Sequence, residues 1–466
     1  MSADQEGFGV LTRDQMQGIA DRAIKASKAD GIHVVVGSSV TGNTRFAANQ
    51  LSTSGEVSDA TVSIESTFGA KHAVVTTNDL SDEGIRQAVA RSESLAKLAP
   101  DDPESLPALG PQQYQPVPSW FDSTARLTPG DRAAAALTAL TPARKSGAVV
   151  AAGYIVTSAR ATLTGNKAGL VAFHRQTSAN YTLTVRTNDG TGSGWAGADN
   201  QDWSKLDVQS VADRALQKAQ LAKNPVAIEP GRYTVILEPQ AVGDLVQLMG
   251  RYFNARLADE GRSPFAKAGG GNKVGEKIVA PVVSVYSDPA DPQLLSAPYD
   301  AEGYPLGRQQ WIDRGMLQQL AYTRFWAKKQ GRPYTGFPFG GGGGGGFGFG
   351  AGGGLKLAGG DTSTEDMIKG TERGVLVTRL WYLREVDPRT ILYTGLTRDG
   401  TFLIENGKVS KAIRNFRFND SPLFLLANTE ALSPAIRLAG TELGGDVVMP
   451  AVKAHDFNFT SLSDAV

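Results

Sequence analysis

The sequence predicts an α+β protein. An N-terminal α/β domain precedes a β-rich C-terminal domain, an antiparallel sheet of barrel-like or sandwich-like form that holds one long helix. Three observations predict this. Residues 233–237 (YTVIL) alternate and stop before Pro239, as a strand leaving a sheet does. Over 240–259, Val242, Leu245, Val246, Met249, Phe253 and Leu257 recur at intervals of three and four, so they share one helix face. Short β-branched runs separated by turn residues then fill most of the chain that follows.

Composition bounds the function. The 466 residues allow two domains and large cores. Lys plus Arg equals Asp plus Glu at 47 each, so no surface built for nucleic acid or anionic lipid is implied. The chain has no cysteine. Disulfides, thiolate nucleophiles and thiolate metal ligands are thereby excluded, and a reducing compartment suits the chain. The start, MSADQEGFGVLTRDQ, has no basic n-region and no apolar h-region. No apolar run approaches the roughly 20 residues that span a bilayer. These features lead us to expect a cytoplasmic protein.

Taken in order, Thr12 with Gln15 forms a capping box ahead of a helix with Met16, Ile19, Ala20, Ala23 and Ile24 on one face. Strands are expected at 32–36, 45–48, 60–67 and 72–76. Ser81 caps a second helix whose inner face carries Ile85, Ala88, Val89, Leu95 and Ala96. These elements read as one α/β layer of about 100 residues. A stiff connector follows at 99–118, with six prolines in the 19 residues from Pro100 to Pro118. Beyond it come a helix at 129–140, strands at 148–157, 161–164, 169–175 and 181–186, and a helix at 206–222. Pro225 marks the expected boundary between domains 1–225 and 226–466.

In the second half, 282–286 reads as a short strand. Asp313-Arg314-Gly315 joins strands at 308–312 and 316–322. Further strands are expected at 375–383, 389–397 and 400–404. Asn406-Gly407 is the strongest hairpin signal, because both residues accept positive φ. Residues 340–360 hold 14 glycines in 21 positions. A GxGxxG match at Gly348, Gly350 and Gly353 follows from that density, since no strand leads into it. The tract reads as a flexible loop.

The four histidines, His33, His72, His174 and His455, form no HxH or HExxH pair and read as structural or surface residues. The carboxylate clusters Asp259-Glu260, Asp300 with Glu302, and Glu365-Asp366 read as helix caps or solvated faces. Trp381-Tyr382 reads as strand-core packing. Neither a GxSxG elbow nor a glycine-lysine phosphate loop is present.

Several ordered blocks carry a resemblance to a known family. They are SGWA at 193–196, YTVILEP with its following helix, GRSPF, VGEK, PYDAEGYPLGRQQWIDRGMLQQLAYTRFWAKKQG at 298–331, and FLIENGKV at 402–409. Together they resemble the TldD/PmbA family, often labelled modulators of DNA gyrase. The N-terminal layer is similar too, so the resemblance covers nearly the whole chain apart from the glycine tract.

The resemblance implies two kinds of member. The TldD kind is a zinc metallopeptidase with HExxxH on the helix after the YTVILEP strand, plus a C-terminal cysteine. Imidazoles one turn apart bind zinc while the glutamate activates the metal-bound water. The PmbA kind, also called TldE, lacks the motif and pairs with TldD.

In this chain the motif positions fall on Val246, Gln247 and Arg251, or on Gln247, Leu248 and Tyr252. Neither register supplies a zinc ligand, and an arginine there repels a cation. The resemblance therefore implies a metal-free, cofactor-free, non-catalytic subunit. It would form a heterodimer with a TldD-like zinc metallopeptidase and act on unfolded peptides held along its strand edges. The rival expectations are a stand-alone enzyme with metal-independent chemistry, and a homodimeric peptide-binding or scaffolding protein. Arg251, Tyr252 and Asn254 are the candidate groove residues.

Overall fold

A computed structural model describes residues 8–338, 354–441 and 446–463. The first half is one six-stranded antiparallel sheet. Its strands are β1 (Gly31–Ala47), β2 (Gln50–Phe68), β3 (Lys71–Thr77), β4 (Val149–Asn166), β5 (Val171–Thr187) and β6 (Ser193–Asn200), in the order β3-β2-β1-β4-β5-β6. Five helices accompany them: α1 (Arg13–Ala26), α2 (Asp82–Leu98), α3 (Asp122–Ala125), α4 (Pro129–Ser146) and α5 (Val208–Leu221). Helices α1 and α2 cover Ile32, Val34, Val36, Val62 and Ile64, while α4 and α5 cover Ile155, Tyr181, Leu183 and Val185. Both expected caps form: Thr12 and Gln15 make the reciprocal capping box, and Ser81 accepts from the Gly84 N–H.

Two expectations for this half need correction. The strands are far longer than their apolar patterns. Segments 32–36 and 45–48 are two ends of β1, 148–157 and 161–164 are both β4, and 169–175 and 181–186 lie in or against β5. Between the ends of β1, Gly37 to Thr44 is mostly small or polar, yet β2 and β4 hydrogen-bond it from both sides. The ladder needs only backbone groups, so side-chain periodicity does not reveal it. The first 100 residues are also not a layer of their own, because β1 pairs directly with β4 across the proline-rich connector.

The second half contains β7 (Gly231–Leu237), α6 (Pro239–Val246), α7 (Ala255–Asp259), β8 (Val285–Ser287), β9 (Gln309–Asp313), β10 (Met316–Leu317), α8 (Arg324–Gln330) and β11 (Leu355–Leu357). It continues with α9 (Thr364–Lys369), β12 (Arg373–Asp387), β13 (Leu392–Glu405), β14 (Lys408–Ala412), β15 (Phe416–Asp420), α10 (Pro422–Ala427), β16 (Thr429–Leu432), β17 (Ile436–Arg437), β18 (Val447–Met449) and β19 (Val452–Leu462). One sheet runs β10-β9-β8-β11-β18-β17. The other runs β12-β7-β19-β15-β13-β14, and β12 also pairs with β13, so it closes on itself as a barrel. The fold is α+β with a β-rich, barrel-like second half, as the sequence predicts. Helix α6 shares one core with both sheets: Val242 and Leu245 pack in the cluster that holds Val285, Trp311 and Leu355 as well as Val235, Val377 and Phe416.

The Asn406-Gly407 hairpin forms between β13 and β14, with φ of 52° and 74° at the two residues. Segments 389–397 and 400–404 merge into β13, which kinks where Asp399 and Gly400 take positive φ. Strand 316–322 shortens to Met316–Leu317.

Three further expectations are corrected. The segment 240–259 is not one helix. It runs as α6, a 3₁₀ stretch Gln247–Phe253, and α7. The break comes at Asn254, which leaves helical geometry to cap α7, accepting from the Leu257 N–H. On either side of it the backbone is taken by Ala321, through Ala255 N to Ala321 O at 2.8 Å and Ala321 N to Phe253 O at 2.6 Å. Trp381 and Tyr382 are not core residues. They are 37% and 44% exposed, because the register of β12 shifts between Trp381 and Arg384 and Tyr382 takes positive φ. Most of the glycine tract lies outside the described residues, including the GxGxxG match at Gly348, Gly350 and Gly353. Its end, however, is not a loose loop: β11 is an interior strand between β8 and β18. A Cβ at Gly360 would lie 2.6 Å from the Leu432 carbonyl oxygen.

Candidate functional site

Strand β7 delivers the chain at Glu238 into α6, and every residue from Gln240 to Val246 is buried. Polar groups on this helix are thus surrounded by protein. Asp244 accepts from Gln240 Nε2 at 3.1 Å and from the Leu380 backbone N–H at 3.2 Å, which ties α6 to β12. Gln247 is 2% exposed, and neither its amide nitrogen nor its amide oxygen has a hydrogen-bond partner among the described residues. Val246 and Leu248 are plain core residues.

Arg251 is partly exposed. Its guanidinium pairs with the Glu385 carboxylate, donates to the Tyr252 hydroxyl at 2.5 Å and lies 4.6 Å from the Tyr252 ring centroid. Tyr393 donates to the same Glu385 carboxylate at 3.1 Å. Burial raises the pKa of Tyr252, partly opposed by Arg251, and pushes Tyr393 up to about 12. Both phenols therefore stay protonated at neutral pH. Of the three candidate groove residues, Arg251 and Tyr252 come together with Glu385, while Asn254 spends its side chain on the α7 cap. Sequence reasoning missed Glu385. It stands 134 positions beyond Arg251, and only the β12 register brings it back.

The remaining candidates have structural partners. His33 bonds Thr164, His72 bonds Glu65, His174 bonds Ser119, and His455 bonds Thr234 and Glu430. Asp259 accepts from Trp326 Nε1 and Asn272, while Glu260 pairs with Arg256 and Arg262. Asp366 sits in the first turn of α9, capped by Ser363, as expected of a helix start. Asp300 departs from its reading as a cap or solvated acid. It is buried and accepts from the backbone N–H groups of Glu302, Tyr304 and Phe337 and from the Tyr334 hydroxyl. Glu302 pairs with Arg324, which donates to the Pro107 carbonyl, and Tyr114 donates to the Gly303 carbonyl. The DAEG block thus docks the proline-rich connector.

Zinc does not fit this site. The motif positions present an orphaned amide, aliphatic side chains, a phenol and a guanidinium held on a carboxylate. Among the described residues no three His, Cys, Asp or Glu side chains converge as a metal-holding group. Nor is any described helix long and apolar enough to cross a membrane.

A strand, a short buried helix and two sheets that share one core with it form the scaffold around the motif positions. Residues 230–461 match the PmbA/TldA metallopeptidase C-terminal domain. The second half of the chain thus carries the domain of the TldD/PmbA-like, metallopeptidase-related family. The chain is similar in fold to TldE from Thermococcus kodakarensis (TM-score 0.83, 22% identity, 95% of this chain and 99% of that one). It is likewise similar to a protein named as a modulator of a DNA gyrase from Thermotoga maritima (0.82, 18%, 95% and 100%). A metalloprotease from Methanothermobacter thermautotrophicus is 24% identical over 238 residues, which are 50% of this chain. The chain spans about half the length of that relative, 49%.

Proposed function

We propose that this chain is the non-catalytic, PmbA/TldE-like subunit of a cytoplasmic peptide-processing pair, with domains 1–225 and 226–466. Its partner is a TldD-like zinc metallopeptidase, and its substrate is an unfolded peptide held near Arg251 and Tyr252. The observation that carries this reading is the Arg251–Glu385 ion pair, which stands where the motif would place a ligand. Strand β12 supports the peptide-holding part. Strand β7 pairs with it only over Val375–Val377, so beyond that point β13 is its one strand partner among the described residues. An extended peptide can add to such an edge.

The test is co-expression with a TldD-like protein that carries HExxxH. Each chain alone and the purified pair are assayed on an unfolded peptide. The reading expects a stable heterodimer, with chelator-sensitive hydrolysis that requires the partner's motif. Hydrolysis by this chain alone that resists chelators would overturn it in favour of a metal-independent enzyme. A homodimer that ignores the TldD-like protein would make it a self-associating peptide binder.

A further inference from the structure

The β12–β13 ladder places Arg379 directly opposite Arg398. Like charges directly opposite one another in a sheet repel. Both guanidiniums lean on the same carboxylate oxygen: Arg379 and Arg398 each approach Asp399 Oδ2 at 3.8 Å. That is outside hydrogen-bond range. The other oxygen of Asp399 accepts from Ser193 Oγ at 2.6 Å. The arginine side chains are only 14% and 21% exposed, and neither makes a hydrogen bond among the described residues. Arg379 Nε is buried and has no hydrogen-bond partner among the described residues. Each guanidinium rests on an indole instead, Arg379 on Trp195 at 4.9 Å and Arg398 on Trp381 at 4.1 Å. Burial holds Arg398 below its ordinary pKa. Asp399 opposes that shift, while Arg186 and Arg379 add to it.

Largely desolvated cations are ordinarily paired and hydrogen-bonded. Here two guanidiniums, in the field of a third, share a single oxygen. Their forked N–H groups match a planar oxyanion, as arginine forks do. We propose that Arg379 and Arg398, oriented by Asp399, form an oxyanion site that takes the carboxylate of a peptide. The assignment to a peptide rests on the function proposed above. Its own support is that the exposed rings of Trp381 and Tyr382 adjoin the site on the part of β12 whose one strand partner among the described residues is β13. Inorganic phosphate offers the same chemistry from another source.

The test uses the full chain and three small probes: N-acetylglycylglycine, its C-terminal amide, and inorganic phosphate. Titrations follow the arginine Nε–H and tryptophan Nε1–H resonances. The proposal expects saturable shifts at Arg379, Arg398 and Trp381 with the carboxylate, and none with the amide. Affinity should fall at least tenfold in Arg379→Gln and in Arg398→Gln, and less in Arg398→Lys, which keeps charge but loses the fork. Each variant removes or preserves one of two repelling charges, and melting curves verify folding. Equal binding of acid and amide, or no response at either arginine, would overturn the site. Saturation by phosphate below the carboxylate's own range would overturn the peptide assignment. These readouts need neither partner nor hydrolysis, so the oxyanion site can fail while the heterodimer stands, and the reverse.

Discussion

Arg251 and Glu385 are paired across the second half of the chain, and the pair joins the 3₁₀ stretch after α6 to the outer part of β12. The contact also fixes the Tyr252 ring beneath the guanidinium and draws in Tyr393. A cation already holds the position where a zinc ion would need a neutral or anionic ligand.

That arrangement gives the first prediction. Metal analysis of the purified chain should find well below one zinc per chain, and no peptide hydrolysis by the chain alone. Stoichiometric zinc with chelator-sensitive cleavage by this chain would refute it.

Gln247 supplies the second. Its amide is buried with both polar ends unpaired among the described residues, a state that costs about 1–3 kcal/mol. Gln247→Leu removes the unmet donors and acceptor at similar volume. The variant should be more stable by about 1–2 kcal/mol in urea unfolding, with an unchanged slope. A destabilised Gln247→Leu would mean that the amide has a partner in solution.

The third concerns the end of the glycine tract. Leu355 and Leu357 are buried in the core shared by the two sheets. Leu357→Ala should cost about 2–5 kcal/mol. Gly360→Ala should destabilise as well, because the new methyl meets the Leu432 carbonyl oxygen at 2.6 Å. Melting temperatures equal to wild type in both variants would show that this end is a spacer.

How much of this was legible follows from which interactions carry each feature. Local chemistry was readable. The Thr12 and Ser81 caps and the Asn406-Gly407 turn depend on residues within a few positions of one another. The α+β class was readable for the same reason. Pairing between distant strands was not. The polar middle of β1 is a strand because β2 and β4 flank it. The break at Asn254 depends on Ala321, and the outward turn of Trp381 and Tyr382 depends on a register shift. At the site, the missing zinc ligands could be read directly. What stands there instead, Glu385 beneath Arg251, could not, because the two lie far apart in sequence.

The last prediction is a pH dependence centred on His174. This side chain is buried on β5, and its Nε2 lies 3.0 Å from Ser119 Oγ at the end of the connector. Ser119 Oγ donates its one proton to the Arg175 carbonyl oxygen at 2.9 Å, so the imidazole donates to it through Nε2–H. Burial holds its pKa down at about 4. The unfolded chain, with an ordinary value near 6.5, therefore binds this proton more tightly than the folded one. The contribution to stability is complete above about pH 6.5 and is lost as pH falls toward 4, at up to about 1.4 kcal/mol per pH unit. His174→Gln keeps a donor for Ser119 but does not titrate. Urea unfolding of the two proteins should thus give curves that converge as pH drops from 7 to 4, with wild type losing about 2–3 kcal/mol more than the variant over that range. Parallel curves would show that His174 is solvated or already charged in the folded protein, and that the connector is not fastened to β5 through a neutral imidazole.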